Sequence, residues 1–462
     1  MRRDPLRTFV ALAMAAVGLG ACHDDPSAAP LTAPSAVSRD ERSGGAVTTL
    51  VRQLAAGRGI VPLANPPRVR EELVRLGQAL AFDPILSGNK NISCMTCHMP
   101  AFATGDGKSL SIGEGGNGFG PSRTHPHNVF IARNAPPLFN LASMKHLFWD
   151  GRIQLDAHGN VQTPAGTQVT PAMSQAFEFG PISAIGMFPV TNRAEMRGQS
   201  GSELAAIDDA DNPAIWAALM QRLGAIPEYR EMFADAYPGT RFEDLTFAHA
   251  SNAIGGFIVA RLSFNDTPWD RFLAGNDKAL TPKQLAGAQT FLTLKCSQCH
   301  NGATLSDDQF HNVAIAQVGP GEGDGISGHE DFGRMRVTVL ESDRYLFRTT
   351  PLRNVELTAP YGHDGAISSL RAFVEHYSES DLKLGAFDPM TLDSSLRGMV
   401  QTNTTDILAQ RDPLLAGVVL TDALVDQLMD YMSALTDDAA KRVDNLVPEH
   451  VPSRLPVIPR RP

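Results

Sequence analysis

Apolar positions along this chain recur mainly at helical spacing. Leu73, Leu76, Leu80 and Phe82 form one stripe and predict a helix over residues 70–82. Leu285, Ala288, Phe291 and Leu292 form a second, behind Thr281 as N-cap and Pro282 at the first helical position. Leu424, Val425, Leu428, Met432 and Leu435 form a third, opened by Thr421. The first two stripes each carry a small-residue step, Leu76-Gly77 and Ala286-Gly287, which argues for a duplicated unit. Gly-rich residues 105–120 and polar residues 305–345 show neither helical nor strand period and read as long functional or connecting loops. The expected fold is therefore mainly α, with two related domains carrying long loop insertions.

The ends of the chain differ from its body. Residues 23–45 are rich in Ala, Pro and Ser and read as a flexible tether. Residues 441–462 hold five prolines and read as an extended tail, packed on the surface or disordered. Arg2, Arg3 and Arg7 precede a short apolar run over residues 9–19, the pattern of an export signal. Leu19-Gly20-Ala21-Cys22 follows and resembles a bacterial lipobox, whose cysteine becomes the lipidated first residue. An ordinary signal peptide with a nearby cysteine is the alternative. His23 stands where an aspartate often retains lipoproteins in the inner membrane, so a periplasmic protein anchored to the outer membrane is expected. The expected organisation is a signal peptide over 1–21, a lipid-anchored linker over 22–60, domains over 61–240 and 241–440, and a tail over 441–462. No apolar run reaches transmembrane length, so membrane contact is expected through the lipid anchor only.

Charge narrows the partners. Loss of residues 1–21 changes the net charge from −10 to −12. An acidic surface disfavours nucleic acid and suits the steering of a basic partner.

The five cysteines carry the chemistry. Cys22 belongs to the export signal. The others form Cys94-Met95-Thr96-Cys97-His98 and Cys296-Ser297-Gln298-Cys299-His300. A disulfide framework would scatter its cysteines. A thioredoxin-like or zinc site would not need a histidine directly after both pairs. C-x-x-C-H is the attachment motif of haem c, in which both thiols meet the vinyl groups of one porphyrin and the histidine lies under the iron. Two covalent haems are expected, with His98 and His300 as their iron ligands. The third stripe then reads as the terminal helix that cytochrome c folds pack over their haem, and the domains as two cytochrome c-like haem domains.

Several blocks resemble the bacterial di-haem cytochrome c peroxidase family, which includes MauG. Leu76-Gly77-Gln78-Ala79-Leu80-Ala81-Phe82-Asp83-Pro84-Ile85-Leu86-Ser87-Gly88 leads into Ile92-Ser93-Cys94. Arg133-Asn134-Ala135-Pro136, Phe148-Trp149-Asp150-Gly151-Arg152 and Cys299-His300-Asn301-Gly302 follow in order. Phe347-Arg348-Thr349-Thr350-Pro351-Leu352-Arg353-Asn354 continues into Leu357-Thr358-Ala359-Pro360-Tyr361-Gly362-His363-Asp364-Gly365. The resemblance implies two unequal haems. One, usually the N-terminal, meets hydrogen peroxide. The other passes electrons from an external donor such as a small cytochrome c or copper protein. It implies that Glu195, in Pro189-Val190-Thr191-Asn192-Arg193-Ala194-Glu195-Met196, moves the peroxide proton, and that Trp149 bridges the haems. It also implies an interdomain calcium ion at Asn134 and the carbonyls of Thr358 and Pro360.

The sequence departs from the family at three places. Ile185 stands where the family has a glutamine. Fourteen residues after His363 the family's donor haem commonly takes a methionine; here that position is Tyr377, as in MauG-like members. Tyr377 is then a hard anionic ligand of the C-terminal haem, or a packed aromatic with His376 or a distant methionine in its place. The family's Ser-Ile-Gly-His-Gly loop with its removable distal histidine becomes Ser111-Ile112-Gly113-Glu114-Gly115, which leaves the N-terminal haem open unless His125 or His127 reaches it. Three functions stay open: a hydrogen peroxide-reducing peroxidase, a MauG-like enzyme oxidising Trp or Tyr side chains of a protein substrate, and a di-haem electron carrier.

Overall fold

The structure, a computed structural model, describes residues 39–460, with side chains from residue 45 onward. The expected signal segment and Cys22 lie outside the described residues. The main helices are α1 (Arg39–Gly57), α2 (Glu71–Phe82), α3 (Asn212–Gly224), α4 (Pro227–Ala236), α5 (Phe247–Arg261), α6 (Pro282–Thr293), α7 (Leu370–His376) and α8 (Asp422–Ser433). Short strands form an antiparallel set, β1 (His146–Leu147), β2 (Ile153–Leu155) and β3 (Val161–Gln162), and an antiparallel pair, β4 (Phe310–His311) and β5 (Phe347–Arg348).

The three helices predicted from stripes form as expected. Most of their apolar positions are buried, Leu285 and Leu424 only partly, and the second and third helices take the caps the sequence offers. Thr281 Oγ1 accepts from Gln284 N at 3.2 Å and Gln284 Oε1 accepts from Thr281 N at 3.0 Å, so two otherwise orphaned donors at the start of α6 are satisfied reciprocally. Thr421 Oγ1 accepts from Leu424 N at the start of α8.

The two small-residue steps do the same work. A Cβ on Gly77 would lie 1.8 Å from Ala253 O, so α2 can cross α5 this closely only with glycine there. A Cβ on Gly287 would lie 2.0 Å from Gln427 O, which fixes the crossing of α6 with α8. The duplication is thus one helix crossing used twice.

Each crossing anchors a hydrophobic core. The first gathers Leu76, Phe82, Met95, Trp216, Phe233 and Phe257 around the first C-x-x-C-H segment. The second gathers Trp269, Phe291, Val374, Leu428 and Tyr431 around the other.

The cores do not follow the expected boundaries. α5, placed by sequence in the 241–440 domain, packs wholly in the first core. Residues 45–60, expected in the linker, end α1 and seat Val51 and Ala55, both fully buried, in the second core. Arg52 Nε donates to Phe272 O at 3.0 Å and holds the helix there. The proline-rich tail returns to the first core, burying Val447 and Val451. Gln78 Nε2 donates to Leu446 O at 2.7 Å, and Asp83 accepts from Ser453 and Tyr229. No helix among the described residues is long and apolar enough to cross a membrane.

Candidate functional site

Both C-x-x-C-H segments fold into one tight turn that sets the histidine beside its thiols. His98 N donates to Cys94 O at 3.1 Å, and His300 N to Cys296 O at 2.9 Å. His98 Nδ1 lies 3.1 Å from Thr104 O, and His300 Nδ1 lies 3.0 Å from Leu305 O. A carbonyl only accepts, so Nδ1 carries the proton and Nε2 keeps its lone pair. Thr104 and Leu305 both sit in the left-handed backbone region, φ +66° and +57°, which turns each carbonyl toward its histidine. Burial lowers the pKa of both imidazoles and favours the neutral form that binds iron.

Each motif lines a cavity, of about 110 Å³ at the first and about 410 Å³ at the second. Desolvation pushes the Cys94 and Cys296 thiols up to about 11 and raises Cys97 further. Buried thiols of this kind are not the depressed-pKa thiolates of reactive C-x-x-C pairs. A thiol pair and a free imidazole nitrogen facing one mainly apolar cavity fit covalent haem, with His98 and His300 as iron ligands.

The first cavity is also lined by Glu195, Arg152, Ser111, Pro189 and Ile185. Glu195 lies in a single π-type turn, Arg193–Arg197, opened by Asn192 Oδ1, which accepts from Ala194 N and Glu195 N. Such turns recur at functional sites. The turn is clamped from outside: Gly88 N donates to Met196 O at 2.7 Å, Glu114 N to Glu195 O at 3.0 Å, and buried Arg197 is held by Asp209. Burial raises the Glu195 pKa, nearby Arg152 opposes this, and Glu322 adds to it.

Glu114 and the two loop histidines stay out of this cavity. Glu114 Oε1 accepts from Asn89 Nδ2 at 2.6 Å and Asn91 Nδ2 at 3.1 Å. His125 Nδ1 accepts from His127 N and Val129 N. None of Glu114, His125 and His127 is among the residues lining the cavity.

The second cavity is lined by Tyr377, His363, Met432, Asn134, Thr358 and Pro360. Burial, with the nearby Cys296 and Cys299, raises the phenol pKa of Tyr377. His376 faces elsewhere, its Nε2 donating to Val313 O at 2.8 Å. Asn134 Nδ2 donates to Lys108 O and Ser109 O. Sequence reading missed a charged clamp in this wall. His311 lies between Asp412 and Asp307; burial opposes its charge, but these bonds raise its pKa to about 11. Its ligand atoms approach those of Asp307 and Cys299 within 4.8 Å, but Cys299 already belongs to the attachment motif.

Asn134, Pro137, Trp149 and Arg348 line both cavities. Trp149 is nine-tenths buried, and its Nε1 donates to Asn134 O at 2.9 Å. Asn134 N donates in turn to His363 O at 2.9 Å. Around this wall Arg133 holds Asp150 and Asp331, each at 2.6 Å.

Two cavities with matching turns, paired thiols and neutral imidazoles, joined by a tryptophan wall, define a two-centre c-type cytochrome. A sequence profile described as di-haem cytochrome c peroxidase matches residues 71–278. Cytochrome c551 peroxidase of Pseudomonas aeruginosa is 32% identical over 303 residues, covering 66% of this chain and 70% of that protein. Methylamine utilization protein MauG of Methylorubrum extorquens is 28% identical over 319 residues, covering 68% and 70%. A solved MauG-like protein associated with microbial copper homeostasis shares the fold, with TM-score 0.58 and 24% identity over 83% of this chain and 95% of that one. This chain belongs to the bacterial di-haem cytochrome c peroxidase and MauG family, a family of oxidoreductases whose members carry two haem c groups.

Proposed function

We propose that the protein reduces hydrogen peroxide at its N-terminal site, with electrons that a small periplasmic redox protein delivers to the C-terminal site. The observation that carries this reading is Glu195, a desolvated carboxyl lining the same cavity as Cys94, Cys97 and His98. Haem held there by Cys94, Cys97 and His98 would supply the redox chemistry for peroxide reduction. Glu195 accepts a proton from one peroxide oxygen and returns it to the other, which lets the second leave as water. Arg152 opposes the desolvation of the carboxylate and so keeps the deprotonated form within reach. Trp149 carries electrons across the shared wall. With Glu114, His125 and His127 all outside the cavity, no displaceable ligand caps the site, and the oxidised protein accepts peroxide without prior reduction.

The test is peroxide consumption by the wild-type protein with a reduced small cytochrome as donor. Donor oxidation that depends on peroxide is expected. Donor oxidation independent of peroxide, with no resting high-spin iron by electron paramagnetic resonance, would leave only the electron-carrier reading.

Tyr377 favours a second, MauG-like reading, the oxidation of Trp or Tyr side chains on a protein substrate. Burial raises the phenol pKa, so the protein alone favours the neutral phenol, and a haem iron bound there would supply the positive charge that favours its phenolate. Phenolate stabilises higher iron oxidation states better than a thioether. Oxidised wild-type protein should then lack the near-infrared methionine-to-iron band, and Tyr377→Met should introduce it and raise the haem potential. The band in wild-type protein would assign the ligand to Met432 instead. Calcium at Asn134, Thr358 and Pro360, and lipid on Cys22 of an exported, outer-membrane-anchored chain, complete the proposal.

A further inference from the structure

The wall between the cavities carries a positive charge that the peroxide chemistry above does not use. Arg348 is 4% exposed and lines both cavities. It is fixed against the bridging tryptophan, since Arg348 N donates to Trp149 O at 2.9 Å. Its guanidinium donates to two carbonyls, Nε to Phe148 O at 3.1 Å and Nη1 to Thr349 O at 3.4 Å.

Three other buried arginines are paired with carboxylates within the protein. Arg133 has Asp150 and Asp331, Arg353 has Asp270, and Arg197 has Asp209. Arg123 spends its donors on the carbonyls of Ile112, Gly113 and Gly118. Among the described residues no carboxylate forms an ion pair with Arg348. Asp308, the one acid that acts on it, does so without a direct contact and accepts instead from Lys145 N at 2.8 Å. Burial lowers the Arg348 pKa to about 10, which still leaves the group charged at neutral pH.

A buried cation without a counter-anion is strongly unfavourable, and a guanidinium offers five donors, of which carbonyls here take two. An anion presented from the cavities resolves both deficits. Haem c carries two propionate carboxylates, and the planar guanidinium fork matches a carboxylate. We infer that Arg348 is the shared counter-cation for propionates of the haems in the two cavities, and that it sets both haem potentials together. This rests on the reading that both cavities hold haem.

Removing a positive charge near an iron favours its oxidised, more positive state, so the potential falls. Arg348→Gln should lower both midpoint potentials in a spectroelectrochemical titration, each by about a tenfold change in the one-electron equilibrium, or about 59 mV. Arg348→Lys keeps the charge and should restore most of the shift. Full haem content with both potentials unmoved in Arg348→Gln overturns the inference, and movement of one potential alone overturns the shared role. If Arg348→Gln does not fold, resonance Raman spectra of Arg348→Lys and wild type decide the matter. The propionate bending bands should differ, because an ammonium replaces a planar fork, and identical bands overturn the inference. Fewer than two covalent haems in wild-type protein would instead sink the haem reading beneath it.

Discussion

Peroxide turnover by Glu195→Gln protein is expected to fall about 10²–10⁴-fold, the usual contribution of a positioned general acid–base group. Glutamine keeps the size of the side chain and its hydrogen-bonding capacity, so peroxide still enters the cavity. The amide takes up no proton, so cleavage of the O–O bond slows. Haem content and the resting spectrum should match wild type, which separates a chemical defect from a folding one. The wild-type pH profile supplies a second check. Burial raises the Glu195 pKa above the ordinary glutamate value of 4.5. The group acts as a base only when deprotonated, so activity should fall on the acid side, at a pH above that of an exposed glutamate. Glu195→Gln should lose that limb and leave a low, flatter residual rate. Wild-type turnover by the variant would remove Glu195 from the mechanism.

The second large effect is on the haems. Denatured wild-type protein should retain two haems by mass spectrometry. Replacing Cys94 and Cys97 with serine should remove one and abolish peroxide turnover, because the site holding Glu195 loses its iron. Replacing Cys296 and Cys299 should remove the other and abolish donor-driven turnover, because electrons lose their entry point. Extraction of all haem by acid–acetone would contradict covalent attachment. Native spectra of the same protein report on the rest of the proposal: one added calcium, and lipid mass on Cys22 after export. Absence of either mass removes that component.

Much of this was legible in the sequence because it is local. A C-x-x-C-H turn places thiols and imidazole through its own spacing, and Thr281 with Gln284 caps α6 within one turn. Features that depend on distant partners left no such mark. α5 is buried on nearly every face, with the consecutive Phe257, Ile258 and Val259 all buried, so it shows no stripe to say which core it meets. The strands are two or three residues long, too short to reveal an alternating period. α1 does carry Val47, Val51, Leu54 and Ala55 at helical spacing, but its Ser43-Gly44-Gly45 segment reads as linker. In the site, Glu195, Trp149 and Tyr377 were found through blocks that resemble a family. Arg348 lay inside one of those blocks and still passed unnoticed, because an arginine in an extended segment reads as surface charge until its burial is seen. The His311 clamp needs Asp412, 101 residues away, and no local pattern predicts that meeting.

The two ends of the folded body are lodged in opposite cores, residues 45–60 in the second and residues 440–458 in the first. No single cut can therefore yield two whole halves. A chain clipped between α5 and α6 leaves a front piece whose first helix belongs to the back piece, and a back piece whose tail belongs to the front. Such fragments should hold on to one another rather than drift apart. The order of synthesis matters too. Whereas domains generally fold as units from the N-terminus, here the first core waits for almost the last residues made.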